Sequence, residues 1–320
     1  MPLPDGFSLR PAVPDDVDLW CRLQSTDPRL AYDPVVMRDG WDQIPEGVLR
    51  ERAVIQEGGI PIGTLGAWRP PTGDGARQFV DVGVNFLEGH DTPELRDAAW
   101  DLAEARAREL GADAITTRCL DHEAARREYL AGRGYLLDRA GIISRLDIGS
   151  ARERFLGMAV EADAAMGAAG VELTTADRLE GRQRELYEVF VEAEADIPTT
   201  LPIVPESFQR FVEMLGKPWV GKARVWVAVT GGRPVGLSWL AYYPTTGNVF
   251  TEMTGVARSA RGRGIARALK LKTIAQALEA GVDLIITEND SENAPILKLN
   301  RAFGYQPMRE VLLHRKPVVT

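Results

Sequence analysis

The stretch Val256-Ala-Arg-Ser-Ala-Arg-Gly-Arg-Gly-Ile-Ala-Arg-Ala-Leu269 decides how this chain is read. A short strand-like run, Val249–Val256, leads into it, and an apolar-periodic segment, Gly264–Ala280, leads out of it. The order is strand, glycine- and arginine-rich turn, helix. Such a turn leaves the first amide N–H groups of the helix without acceptors. Their aligned dipoles favour an anion at that spot. Glycine lets a phosphate approach the main chain with no Cβ in the way. Arg258, Arg261, Arg263 and Arg267 add charge-assisted hydrogen bonds. The physics points to a diphosphate. The turn is neither a Walker loop, since no Gly-Lys-Ser/Thr follows, nor the dinucleotide Gly-x-Gly-x-x-Gly.

Outward from this stretch the chain repeats itself. Val54-Ile-Gln-Glu-Gly-Gly-Ile-Pro-Ile-Gly63 resembles Val227-Ala-Val-Thr-Gly-Gly-Arg-Pro-Val-Gly236, a hairpin signal at an offset of 173. Gly83-Val84 matches Gly255-Val256, Gly111–Thr117 matches Gly281–Thr287, and Gly134-Tyr135 matches Gly304-Tyr305, all in order. A period this long excludes a solenoid and predicts two copies of one domain. In the second copy the pattern predicts a strand at Val171–Thr175 and a helix at Arg178–Glu192. It predicts a second helix at Pro205–Leu215 with Pro205 in its first turn, then hairpin strands Arg224–Val229 and Pro234–Tyr243. After Val249–Val256 and Gly264–Ala280 come a buried strand Asp283–Thr287, a helix Asn293–Phe303 and a last strand Arg309–Arg315. This is an α/β arrangement with a mixed sheet. The expected domains are 1–149 and 171–320, joined by a connecting, mostly helical segment 150–170.

Composition narrows the function. The 320 residues suit two domains, and 45% hydrophobic with 26% charged residues gives each a normal core. A net charge of −8 argues against general nucleic-acid binding. Two cysteines (Cys21, Cys119) and three histidines (His90, His122, His314) offer no disulfide framework and no zinc pattern, so no metal is expected. No apolar run approaches a membrane span, and the N-terminus lacks a basic and apolar leader, so a cytoplasmic protein with no membrane partner is expected. The six lysines all lie from Lys217 onward.

The loop reads Arg-x-x-Gly-x-Ala at Arg261–Ala266 and resembles the GCN5-related N-acetyltransferase (GNAT) family, in its tandem two-domain form. The resemblance covers about 150 residues. It includes the strand ending in Val256, the strand Leu284–Thr287, Asn289, Asn293 and the Phe303-Gly304-Tyr305 ending. It implies two tandem acyl-CoA N-acyltransferase domains, with acetyl-CoA as co-substrate held by Val256, Ala257, Arg258, Arg261, Gly262, Arg263, Gly264, Ile265, Ala266, Arg267, Asn289 and Asn293. Val256 would meet the pantetheine through its main chain, and Arg261–Ala266 would wrap the pyrophosphate. Asn293 would contact the arm, a role compatible with plain helix capping. One departure matters. Many members carry a Tyr on the last helix that protonates the departing thiolate, and here that position is Asn300, after Leu299.

The reaction needs a base. Glu252 is the lone acid of its strand, four residues before Val256 and so expected on the same side. Several family members place a catalytic Glu there; the alternative is a structural acid paired with an Arg. Glu194 and Asp196, with Glu192, are expected near the acceptor amine, or else at a solvated helix end, and Tyr242 and its neighbour Tyr243 are expected to border the same site. The first copy lacks the loop. Gly89-His-Asp-Thr-Pro-Glu94 stands there, and Val80, Cys119 and Glu123 stand for Glu252, Asn289 and Asn293, so 1–149 is expected to be a degenerate GNAT-like domain and 171–320 the acetyl-CoA-binding, catalytic one. The expected activity is acetyl transfer to a primary amine of a small molecule, by direct attack in a ternary complex, in a monomer or homodimer. Protein or peptide N-acetylation and non-catalytic CoA sensing are the alternatives.

Overall fold

The computed structural model describes residues 2–25, 27–71, 76–201 and 205–318. They form two compact units. The chain runs β1 (Phe7–Pro11), α1 (Val17–Gln24), α2 (Pro34–Asp39), β2 (Leu49–Glu57), β3 (Ile60–Arg69), β4 (Phe79–Phe86), α3 (Pro93–Glu109), β5 (Ala114–Leu120), α4 (Ala124–Gly132) and β6 (Leu136–Asp147). It continues through α5 (Arg152–Ala168), β7 (Val171–Thr175), α6 (Gln183–Glu194), α7 (Phe208–Leu215), β8 (Trp226–Thr230), β9 (Arg233–Tyr242), β10 (Val249–Val256), α8 (Ile265–Glu279), β11 (Leu284–Asp290), α9 (Ala294–Phe303) and β12 (Gln306–Pro317).

The two copies share their elements in the same order. Both hairpins turn on glycine pairs with positive φ, Gly58 (56°) and Gly59 (88°) in one, Gly231 (56°) and Gly232 (78°) in the other. That turn matches the twist of the flanking strands. Each hairpin also carries a register shift at the same place, between Ile55 and Gln56 and between Ala228 and Val229. The fold is therefore the mixed α/β sheet, built twice, that the repeat implies.

The units do not follow the halves of the chain, and here the expected boundaries need correction. In the first unit the strand order is β1-β2-β3-β4-β5-β12, because β12 pairs antiparallel with β5 from Val311↔Leu120 to Pro317↔Ala114. In the second it is β7-β8-β9-β10-β11-β6, with β6 on β11 from Leu284↔Asp147 to Asp290↔Gly141. Each copy thus completes its sheet with the last strand of the other. A strand's apolar pattern sets which face it buries, not which neighbour it pairs with, so sequence left this open. The segment expected to connect the domains is α5, whose Phe155, Ala159, Ala162 and Met166 belong to the core of the second unit. Pro205 precedes α7 rather than opening it; Ser207 is the cap, its Oγ accepting from the Arg210 N–H at 3.3 Å.

In the second unit one core lies under α5 and α8, with Leu269, Ile274, Ile285, Phe303 and Tyr305. The other lies under α6 and α7, with Leu186, Phe190, Phe211, Trp239 and Met253. Strand β10 serves both because it is bulged. Thr251 faces Leu240 and Met253 faces Trp239, so the pairing skips Glu252. The bulge interrupts the simple alternation from which Glu252 and Val256 were expected on one side. In β4 the pairing with β3 runs unbroken from Trp68↔Asp81 to Gly63↔Phe86. At the hairpin offset of 173, Thr251 matches Val82 and Met253 matches Gly83. Glu252 is therefore an inserted residue with no counterpart, rather than the replacement of Val80. The same register pairs Val256 with Phe86, so the Gly83-Val84 match was one of letters only.

Next to the bulge, α6 lies close on the sheet. A Cβ at Gly255 would stand 2.4 Å from the Ala193 Cβ. Gly255→Ala must push α6 away from β10, and overpacking of this kind costs about 1–3 kcal/mol. Thermal unfolding should show a lower midpoint for this variant, whereas Gly247→Ala, in open space, tests the cost of positive φ (71°) without a clash.

Candidate active site

Among the described residues of the second unit the one parallel pair of strands is β10 and β11, and it holds at one register position, Phe250↔Ile286. Beyond it the strands part. The gap opens into a cavity of about 520 Å³ whose wall includes Thr251, Glu252, Val256, Lys270, Thr287 and Asn289. The turn into α8 closes one end, contributing Arg261, Gly262, Gly264, Ile265, Ala266 and Arg267. Asn293 and Leu299 of the α9 region, and Asp196 and Ile197 after α6, complete it.

The turn is built from its glycines. Gly262 and Gly264 have φ of 76° and 81°, left-handed positions where a side chain would be strained. Gly264 is the N-cap of α8 and offers no side chain to the helix end. Among the described residues no protein acceptor is placed for the amide N–H groups of Gly262, Gly264 and Ile265. These donors converge at the positive end of a 15-residue helix. Such a cradle fits a diphosphate, and the long gap beyond it fits an extended, largely apolar arm.

Asp196 fixes the arginines of the turn. It accepts from Arg258 Nε at 3.0 Å and Nη2 at 2.5 Å, and from Arg261 Nη2 at 2.6 Å. Arg261 Nε also donates to the Val256 carbonyl at 3.0 Å, and Glu192 accepts from the Arg258 N–H at 2.9 Å. The Arg258 hydrogen bonds, then those of Arg261, hold Asp196 down at about 2. Asp196 is thus a strut for the turn, committed to two guanidinium groups, and not a loose charge for an amine.

Glu252 opens to the cavity at the bulge. Protein crowds its carboxylate even though the cavity leaves it accessible, and desolvation raises its pKa above the usual glutamate range. The Tyr243 hydroxyl donates to Oε1 at 3.1 Å and offsets part of that rise. Desolvation is the larger of the two effects, so the carboxyl keeps its proton to higher pH than an ordinary glutamate.

The structure therefore brings Glu252, Val256, Arg261, Gly262, Gly264, Ile265, Ala266, Arg267, Asn289, Asn293 and Asp196 to one cavity. Ala257, Arg258, Arg263, Glu194 and Tyr242 are not in its wall. Arg263 donates to the Ala169 carbonyl at 3.2 Å. Glu194 is half-buried and held at about 7, chiefly by desolvation and then by Glu206. Tyr242 stacks under Arg224, 4.6 Å from the ring centre. It is the neighbouring Tyr243 that reaches the site; hairpin pairing alone could not tell the two apart. Asn293 caps α9, its Oδ1 accepting from the Ile296 N–H at 3.5 Å. Asn289 Oδ1 accepts from Asn300 Nδ2 at 2.7 Å. Lys270 was missed, since a lysine in an amphipathic pattern reads as solvent-facing. Among the described residues no His, Cys, Asp or Glu group is placed to hold a metal, and no helix is long and apolar enough to cross a membrane.

Residues 193–305, which contain this cavity, match the acetyltransferase (GNAT) family. A mycothiol acetyltransferase of Thermomonospora curvata is 28% identical over 102 residues, 32% of this chain and 34% of that protein. The match thus spans about a third of that relative's length. Over the whole chain the fold is similar to a tandem GNAT protein from the clavulanic acid biosynthesis pathway, with a TM-score of 0.73 and 20% identity, covering 98% of this chain and 99% of that one. A GCN5-related N-acetyltransferase of Sphaerobacter thermophilus gives 0.69 at 18% identity, covering 98% and 96%. The tandem GNAT fold implied by the sequence resemblance is thereby supported.

Asp196→Asn removes the strut from the turn. Hydrogen exchange at the hydrogen-bonded amides of the turn, Arg258, Ala260 and Arg261, should quicken in this variant while the buried middle of α8 keeps its protection. In the wild-type protein a depressed carboxylate contributes stability that is present above the unfolded pKa and lost as pH falls through about 2. Slow exchange in the turn should accordingly persist at pH values where ordinary carboxylates have begun to take up protons.

Proposed function

We propose that this chain, with a GNAT-family segment in its second unit and the tandem GNAT fold over its length, is an N-acetyltransferase using acetyl-CoA and a small-molecule primary amine. The observation that carries the reading is the cavity between the parted strands. It has a diphosphate cradle at one end and a crowded carboxylate, Glu252, in its wall.

Each residue then has a task. Main-chain N–H groups of Gly262, Gly264 and Ile265 receive the diphosphate, with Arg261 and Arg267 adding charge. The free edge of β10 near Val256 offers backbone hydrogen bonds to the pantetheine amides, as an added strand would. Asn289 and Asn293 line the opposite side of the gap. Glu252 takes up the proton that the amine must lose. An alkyl ammonium has a pKa of about 10, so most of the acceptor arrives charged at neutral pH. Acidic residues in the wall, Glu252, Glu288 and Asp290, suit that cation. Holding the neutral amine against the thioester supplies the proximity term of the rate.

A screen of primary amines, read as CoA release from acetyl-CoA, tests the reading. With an acceptor in hand, Glu252→Gln should lower kcat/KM by about 10²–10⁴. The acid limb of the wild-type pH profile should lie above the usual glutamate range. Tyr243→Phe removes the one contact that lowers the Glu252 pKa, so that limb should move to still higher pH. A Glu252→Gln variant with wild-type activity and an unchanged pH profile contradicts the role of Glu252.

A further inference from the structure

Lys270 lies in α8 between Leu269 and Leu271 and is only 2% exposed. Its Nζ has no hydrogen-bond partner among the described residues, yet the side chain is part of the cavity wall. Burying an amine without a partner is unfavourable. A methionine would fill similar space at no such cost. The position makes sense if a partner arrives with a ligand.

The neighbours show which part of the ligand that is. Nζ stands 5.1 Å from the ring centre of Tyr305, whose hydroxyl lies 3.4 Å from Thr251 Oγ1. Thr251 and Thr287 line the cavity and directly follow the last strand pair, Phe250↔Ile286. Lys270 therefore sits by the apex, where β10 and β11 begin to part. The diphosphate cradle is at the other end, beyond Val256. Five residue steps along the strand separate Val256 from Thr251, about 16 Å at about 3.3 Å each. An arm anchored at the cradle and laid along the gap brings its sulfur to the apex, beside Glu252. The residue at the family's usual acid position, Asn300, has no acidic proton to give and is already bound to Asn289.

Resting on the acetyl-CoA reading above, we propose that the Lys270 side chain faces the sulfur of the co-substrate and gives the departing thiolate its proton. The neutral amine nitrogen of the acceptor bonds to the thioester carbonyl carbon, and the carbon–sulfur bond breaks with its electron pair going to sulfur. The Lys270 ammonium protonates that thiolate and becomes neutral. Glu252 holds the proton lost by nitrogen, and exchange with solvent restores both groups. Desolvation alone lowers the Lys270 pKa, to about 7. The opposite charge of the departing thiolate raises the Lys270 pKa again and lowers its own, so the two groups share one proton as the carbon–sulfur bond breaks. The other titratable groups of the cavity are Glu252, Glu288, Asp290, Asp196, Arg261 and Arg267, and Tyr305 packs on the amine.

The test needs no acceptor. Free CoA thiol is bound to the wild type and to Lys270→Met, and its thiolate absorbance is followed against pH. Burial pushes Cys21 and Cys119 to about 11, so their thiolates form well above the CoA thiol. A facing ammonium lowers a thiol pKa by about 1–3 units. The midpoint for CoA on the wild type should therefore lie at least about one unit below that on the variant. Lys270→Met should also raise the melting midpoint of the free protein, and Lys270→Gln provides a second polar but uncharged comparison. Equal midpoints, with CoA bound to both proteins, overturn the role of Lys270 and leave the acetyl-CoA reading standing. Failure of CoA to bind the wild type overturns both.

Discussion

The parting of β10 from β11 is the constraint on which the candidate site depends. A parallel ladder that continued past Phe250↔Ile286 would satisfy the strand edges and close the cavity. Instead the edges separate, and the chain manages the consequences locally. The bulge places Glu252 outside the ladder, the left-handed glycines leave donors free at the head of α8, and Asp196 holds two arginines in place around that turn. Unpaired backbone in a folded protein needs water or a ligand. Here the unpaired groups line one concave surface.

The first unit shows the same frame without those devices. Its parallel ladder ends at Asp81↔Thr116, the equivalent register, so the strands part there too. But β4 has no bulge and no added acid. The head of α3 is capped by Thr92, whose Oγ1 accepts from the Leu95 N–H at 3.4 Å, where the head of α8 is left uncapped. Arg126 of α4 donates to Asn85 at 2.9 Å, and Glu123 accepts from the Leu120 N–H at 2.6 Å. Polar groups that would meet a ligand in the second unit are satisfied internally in the first.

Much of this was legible in the residues. Paired glycines marked both hairpins, the arginine- and glycine-rich turn marked the anion site, and a lone acid in an apolar strand marked Glu252. What stayed hidden depends on pairing. The exchange of β6 and β12 follows from which edges meet, and nothing in Leu136–Asp147 or Gln306–Pro317 states it. The bulge is invisible because one inserted residue leaves the local composition unchanged. Lys270 was hidden because α8 is buried on most sides, Ile265, Leu269, Leu271 and Ile274 included, and a lysine among them reads as the polar face.

The central claim is that the gap between β10 and β11 receives acetyl-CoA with its diphosphate on the turn at Gly264. Isothermal titration of acetyl-CoA into the wild type and into Gly264→Glu tests it most directly. The substitution sets a side chain at a φ of 81° and a negative charge where the diphosphate would lie. The account predicts one site per chain in the wild type and none in the variant, with both proteins folded. Absence of binding in the wild type, or binding that survives in Gly264→Glu, would contradict it.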